Sequence, residues 1–257
     1  MEAPVEQRPL ARRDLLVETW LVLGVSLGAS AIWSALSLVR KLTAGQPLGS
    51  QTTAMNSSVT PDRPWLDLTY QLVGIALALV PVALALHLLS RSDVRARFAI
   101  GVDLTQPARD LLRGLGLAAL VGIPGLGLYA VAKALDLNTT IAAANLADVW
   151  WAVPVLVLAA AQNAVLEEVV MIGYLFTRWS QAGWSTSRIM VSSALIRGSY
   201  HLYQGFGGFL GNAIMGLIFG WIYTRTKRVG PLIVAHTVLD VVAFVGYALL
   251  KDHLSWL

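Results

Sequence analysis

Residues 150–176 read WWAVPVLVLAAAQNAVLEEVVMIGYLF. The stretch is almost wholly apolar, and at about 1.5 Å per residue it is long enough to cross the ~30 Å hydrocarbon core of a bilayer. Glu167 and Glu168 interrupt it side by side. A carboxylate at the centre of a membrane helix costs about 2.5–3.5 kcal/mol on insertion scales, so two in succession need partners or a purpose. Two later apolar stretches offer partners: Arg197 with His201, and His236 with Asp240.

The rest of the chain fits lipid as solvent. Of 257 residues 56% are hydrophobic and 13% charged, and the mean hydropathy is +0.64. A soluble domain carries roughly 25% charged residues. The expected fold is all-α: a polytopic transmembrane helical bundle forming a single membrane domain over residues 1–257. The absence of cysteine excludes disulfides, thiolate nucleophiles and thiolate metal sites. The net charge of +4 sits in clusters flanking apolar spans, not in a basic stripe with aromatics, so nucleic acid is not an expected partner.

Seven spans are expected, at about 16–39, 68–89, 111–134, 150–176, 189–203, 209–223 and 231–250. The fifth and sixth are short, and Gly205-Phe206-Gly207-Gly208 between them reads as a break or re-entrant bend. Basic residues fill every second connection: Arg8, Arg12 and Arg13; Arg91, Arg95, Arg97, Arg109 and Arg113; Arg178 and Arg188; Arg225, Lys227 and Arg228. The positive-inside rule then puts the N-terminus in the cytoplasm. Arg40, Lys41 and Lys133 are exceptions at span ends. The connection 43–63, rich in Gly, Pro, Ser and Thr, reads as flexible. Trp65, Trp150, Trp151 and Trp256 suit an aromatic belt, His87 and His253 an interface, and Glu18 a reach to headgroups.

Depth and facing bring the polar groups together. Glu167 lies about 16 Å along its helix from Arg178, His201 about 20 Å from Arg188, and His236 and Asp240 about 9 and 15 Å from Gly230. Arg197 and His201 are four residues apart, as are His236 and Asp240, so each pair shares a helix face. Adjacent Glu167 and Glu168 diverge by about 100° on an α-helix. One is expected to enter the site while the other meets a cation, Arg197. Gly207-x-x-x-Gly211 and Gly216-x-x-x-Gly220 suit close packing of the sixth helix.

The order and spacing of these residues resemble the CPBP family of membrane proteases. This family includes the CAAX prenyl endopeptidases and the bacteriocin-processing or immunity (Abi) proteins. Its motifs EExxxR, FxxxH and HxxxN/D correspond to Glu167–Ile172, Arg197–His201 and His236–Asp240, within a protease core at about 150–250. The resemblance implies peptide hydrolysis in the membrane without a covalent intermediate, on membrane-associated, prenylated or CAAX-like substrates. It implies Glu167 as the base that activates water, Glu168 as its neighbour in the site, His201 beside Glu167, and His236 with Asp240 facing the oxyanion. The expected setting is the plasma membrane of a bacterium, with lipid and a peptide or protein substrate as partners. Two positions depart from the motifs: Ile172 replaces the arginine, and Arg197 replaces the phenylalanine. The counter-cation of Glu168 is thereby expected to have moved from the fourth helix to the fifth.

No cofactor is expected. The alternative is Zn²⁺ held by Glu167, His201, His236 and Asp240, since imidazole and carboxylate both suit it. Two other functions use the same residues: a non-catalytic immunity or secretion-accessory protein of the same fold, and a proton-coupled carrier with these groups as its relay.

Overall fold

The computed structural model describes residues 10–91 and 95–250; Arg8, His253 and Trp256 lie outside the described residues. Each stretch expected to span is helical, but not all reach membrane length. α1 (Arg12–Gly24) and α2 (Leu27–Leu42) replace the first expected span and meet at a 53° bend. The backbone turns tightly there, since a Cβ on Gly28 would lie 2.7 Å from the carbonyl oxygen of Leu23. α3 (Pro64–Ala78) and α4 (Val80–Ser90) form the next span, Pro64–Ser90. Pro81 falls in the first turn of α4, where its missing N–H is not needed. The short α5 (Ala96–Ala99) leads to α6 (Pro107–Ala134).

α7 (Ala152–Glu167), a π-helical segment (Glu168–Tyr174) and α8 (Leu175–Gln181) make one continuous 30-residue span. α9 (Thr186–Ser199), α10 (Phe206–Thr226) and α11 (Gly230–Leu250) follow. Five of these helical spans have the length and composition to cross a membrane, or six with the bent pair α1–α2. The expected count of seven is not reached because α9 has 14 residues, short of the ~20 a crossing needs.

The connections gather at two ends. At one end β1 (Thr52–Ala54) pairs in parallel with β2 (Thr140–Ala142), and Thr139 N–H donates 2.8 Å to Gln204 O. This corrects the reading of 43–63 as flexible, because its backbone is tied to a second connection. Asn56 Nδ2 donates to Ala143 O at 2.8 Å, and Asp67 Oδ1 accepts from the Val59 and Thr60 amides. At the other end Val229 N–H donates to Ile100 O at 2.9 Å, and Arg228 bridges Asp103 and Asp110. The alternation of connections therefore follows the sequence pattern. Which end faces the cytoplasm rests on the Lys and Arg distribution.

Packing converges on the helices of the second half. α11 packs against α6 and α7, and α10 against α9 and α6. The two small-residue pairs of α10 serve different neighbours. A Cβ on Gly207 would meet Ala132 of α6 at 2.5 Å, whereas one on Gly216 would lie 3.1 Å from the Ala194 Cα of α9. Large apolar side chains such as Trp33, Leu120, Ile123 and Leu126 point outward, as lipid-facing surfaces do. Trp65 and Trp150 meet edge to face at 6.3 Å and are exposed, as a belt requires, but Trp151 is buried.

Two charged residues differ from expectation. Glu18 does not reach for headgroups. It accepts from Arg178 Nε at 2.7 Å and Tyr174 Oη at 2.8 Å. Arg178, counted above as an interfacial cation, is fully buried and also donates to Leu88 O.

Candidate active site

α7 reaches the middle of the bundle and changes geometry there, passing from α- to π-helix between Glu167 and Glu168. In π-geometry, with its i→i+5 bonds, each turn spreads over more residues than in an α-helix, and such segments recur at functional sites. At this transition both carboxylates lie near one imidazole. Glu168 Oε1 is 2.8 Å from His236 Nδ1, and Glu167 Oε2 is 4.0 Å from His236 Nε2. The expectation that one acid meets Arg197 while the other enters the site agrees with this placement; what differs is that both also lie near His236.

Arg197 of α9 binds the pair from the other side. Its Nη2 donates to Glu168 Oε1 at 2.7 Å, while Nη1 stands 4.0 Å from Glu167 Oε2. Arg197 and Glu168 are fully buried, so each is the other's compensation in a medium that solvates neither. Gly216 makes room for this arm: a Cβ there would come within 3.2 Å of Arg197 Cδ. The cation expected from the displaced motif position is thus in contact with Glu168.

Glu167 is the more open acid, its side chain 11% exposed against 0% for Glu168. Its Oε2 accepts from Tyr200 Oη at 2.7 Å. A tyrosine reads first as packing, yet this one lies between Ser199 and His201 within the second motif. Asp240, 22% exposed, places Oδ1 3.7 Å from His236 Nε2 and accepts from Asn163 Nδ2 at 3.4 Å. Asn163 also escaped the sequence reading; its signal was a polar group one helical turn before Glu167.

His201 is placed differently from expectation. α9 ends at Ser199, so Arg197 and His201 do not share a helix face. His201 Nδ1 lies 3.0 Å from Arg197 O, and the ring sits between Tyr200 (4.7 Å between centroids) and Tyr203 (6.3 Å). A carbonyl can only accept, so Nδ1 carries the proton of this contact. His201 does not hydrogen-bond Glu167; Tyr200 does.

Of the four ligands in the zinc alternative, Glu167 and His236 fall in the group that converges. Among the described residues, Glu167, Glu168 and His236 offer ligand atoms within 4.8 Å of one another, a set without His201 or Asp240. Within that set Glu168 Oε1 already lies between a guanidinium and the His236 ring nitrogen. A divalent cation bound there would stand close to the Arg197 guanidinium.

Fold and site together define an integral, multi-pass helical membrane protein with a buried carboxylate–guanidinium–imidazole centre. Residues 149–242 match the family described as Rce1-like, type II CAAX prenyl endopeptidase, which supports membership of this segment in the CPBP membrane proteases. The matched segment contains Glu167, Glu168, Arg197, His201, His236 and Asp240. No curated protein and no solved structure matches the chain.

Proposed function

We propose that the chain is an endopeptidase that hydrolyses membrane-associated, CAAX-like peptides with water activated by Glu167. The observation that carries this reading is the division of labour between the two acids. Glu168 is buried and held by Arg197 and His236, whereas Glu167 is partly open and held through one oxygen.

In this reading Glu167 takes a proton from water as the water oxygen attacks the scissile carbonyl. Tyr200 holds Oε2, leaving Oε1 as the basic atom. As an imidazolium, His236 donates from Nε2 toward the oxyanion while its Nδ1–H is fixed by Glu168, so the donor is in place before charge develops. Collapse of the tetrahedral species breaks the C–N bond, and the proton held by Glu167 passes to the leaving amine. Glu168 and Arg197 position the imidazole. Asp240 lines the open side, more distant from the ring than Glu168 is. The steps need no metal. Non-hydrolytic and carrier readings are not favoured by a match to a protease family.

The test is a proteomic comparison of membranes bearing the wild type or Glu167→Ala. The proposal expects specific membrane proteins to be shortened with the wild type alone. Identical peptide termini in both membranes would reject it.

A further inference from the structure

The chain leaves α9 after Ser199 and passes through a 3₁₀ turn, Leu202–Gln204, before Gly205 starts α10. Carbonyls at such a helix end have no successor in the helix to bond them. Here they are bonded from outside the matched family segment. Ser34 Oγ donates to Tyr200 O at 2.8 Å, Lys41 Nζ donates to Tyr203 O, and Thr139 donates through N–H and Oγ1 to Gln204 O.

Ser34 and Lys41 are seven residues apart on α2, two turns along one face, and both are buried. Lys41 also donates to Thr53 Oγ1, itself 2.6 Å from Thr139 Oγ1. Among the described residues no carboxylate pairs with this ammonium; its partners are neutral oxygens. Burying an ammonium on such terms is costly, and a neutral side chain would fill the space more cheaply. What the ammonium supplies is several donors on one flexible arm, which ties Tyr203 O of the turn after His201 to Thr53 of β1. Tyr200 precedes that turn and holds Glu167, and His201 lies between the Tyr200 and Tyr203 rings.

We propose that Lys41, assisted by Ser34, is a positioning residue of the active site: from α2 it fixes the backbone of residues 200–204 and thereby the His201 imidazole and the Tyr200–Glu167 hydrogen bond. This rests on reading the cluster as a peptidase site. It also gives the first half of the chain, which lies outside the family match, a part in catalysis.

The test uses the full chain in detergent, labelled with ¹⁵N-histidine, with the His201 signals assigned by His201→Gln. Kinetics are followed on a farnesylated CAAX-type peptide. Lys41→Met is expected to shift the His201 ring nitrogens and to lower kcat on the order of 10–100-fold, as small misplacements do. KM should change little, since no substrate contact is lost. Lys41→Arg should restore most of both, and Lys133→Met, at the same end of the molecule, should alter neither. Wild-type His201 signals and kcat in folded Lys41→Met would overturn the proposal. Should Lys41→Met not fold, Ser34→Ala is read in the same way, and an unchanged His201 spectrum there would overturn it. If the wild type cleaves no peptide, the peptidase reading fails, while the His201 spectra still decide the clamp.

Discussion

Glu168 shows how far charge arithmetic carries at the scale of one residue. An acid beside Glu167 in an apolar helix needs a cation, and with Ile172 at the motif's arginine position Arg197 was the candidate at compatible depth. The 2.7 Å pair follows from that need. Replacing Arg197 with Phe should leave Glu168 buried and unpaired, costing roughly 3–5 kcal/mol. Adding Ile172→Arg, the arrangement of the family motif, should recover much of that loss. Thermal unfolding of the single and double variants in detergent gives the coupling, and strictly additive effects would dissolve the proposed exchange of cations. Tyr200 was not legible, because a tyrosine reads as packing until its hydroxyl is seen on Glu167. The same contacts bear on metal. With Glu168 Oε1 held by Arg197 and His236, peptide cleavage should survive dialysis against a strong chelator; loss restored by stoichiometric Zn²⁺ would overturn this.

Among elements, the shortness of the fifth span was legible, but the π-segment after Glu167 and the end of α9 at Ser199 were hidden from the sequence. Periodicity is read on an assumed period of 3.6 residues, so a local change in winding cannot be seen in it. That assumption kept Glu167 and Glu168 from sharing His236 as a neighbour, and it joined Arg197 and His201 on one face. The end of α9 at Ser199 undoes the second inference. Helix-to-helix contacts were more legible, since glycine pairs advertise close approach. Gly198 makes the point. A Cβ there would lie 2.8 Å from the Phe209 carbonyl oxygen, a backbone atom that cannot swing aside. Gly198→Val should therefore destabilise the α9–α10 pair by about 1–3 kcal/mol. A fall in detergent melting temperature measures this, and an unchanged melting temperature would show that the two helices separate freely.

For the whole molecule, composition and hydropathy made the bundle legible. They could not say that α1 and α2 bend, nor that 43–63 folds against 136–148, because those contacts pair residues more than 80 positions apart. The opposite end is closed by charge: Arg228 bridges Asp103 and Asp110, and with Thr105 it holds the Asp103 carboxyl down to about 2. A carboxyl depressed in the folded state adds stability above its unfolded value of about 3.9, and that stability is lost as pH falls toward about 2. Wild type should accordingly melt above Asp103→Asn at pH 5–7, with the gap closing between about pH 4 and 2. A gap that stays constant with pH would mean that Asp103 does not contribute through its charge.

The account as a whole depends on one proton transfer. Purified wild type and Glu167→Gln, compared in detergent on a substrate found in membranes, test it directly. Gln keeps the shape and can still accept from Tyr200, but it cannot take a proton from water. Cleavage should fall by about 10²–10⁴-fold with the melting temperature preserved. Turnover by Glu167→Gln at the wild-type rate would contradict Glu167 as the base and, with it, the assignment of this site to hydrolysis.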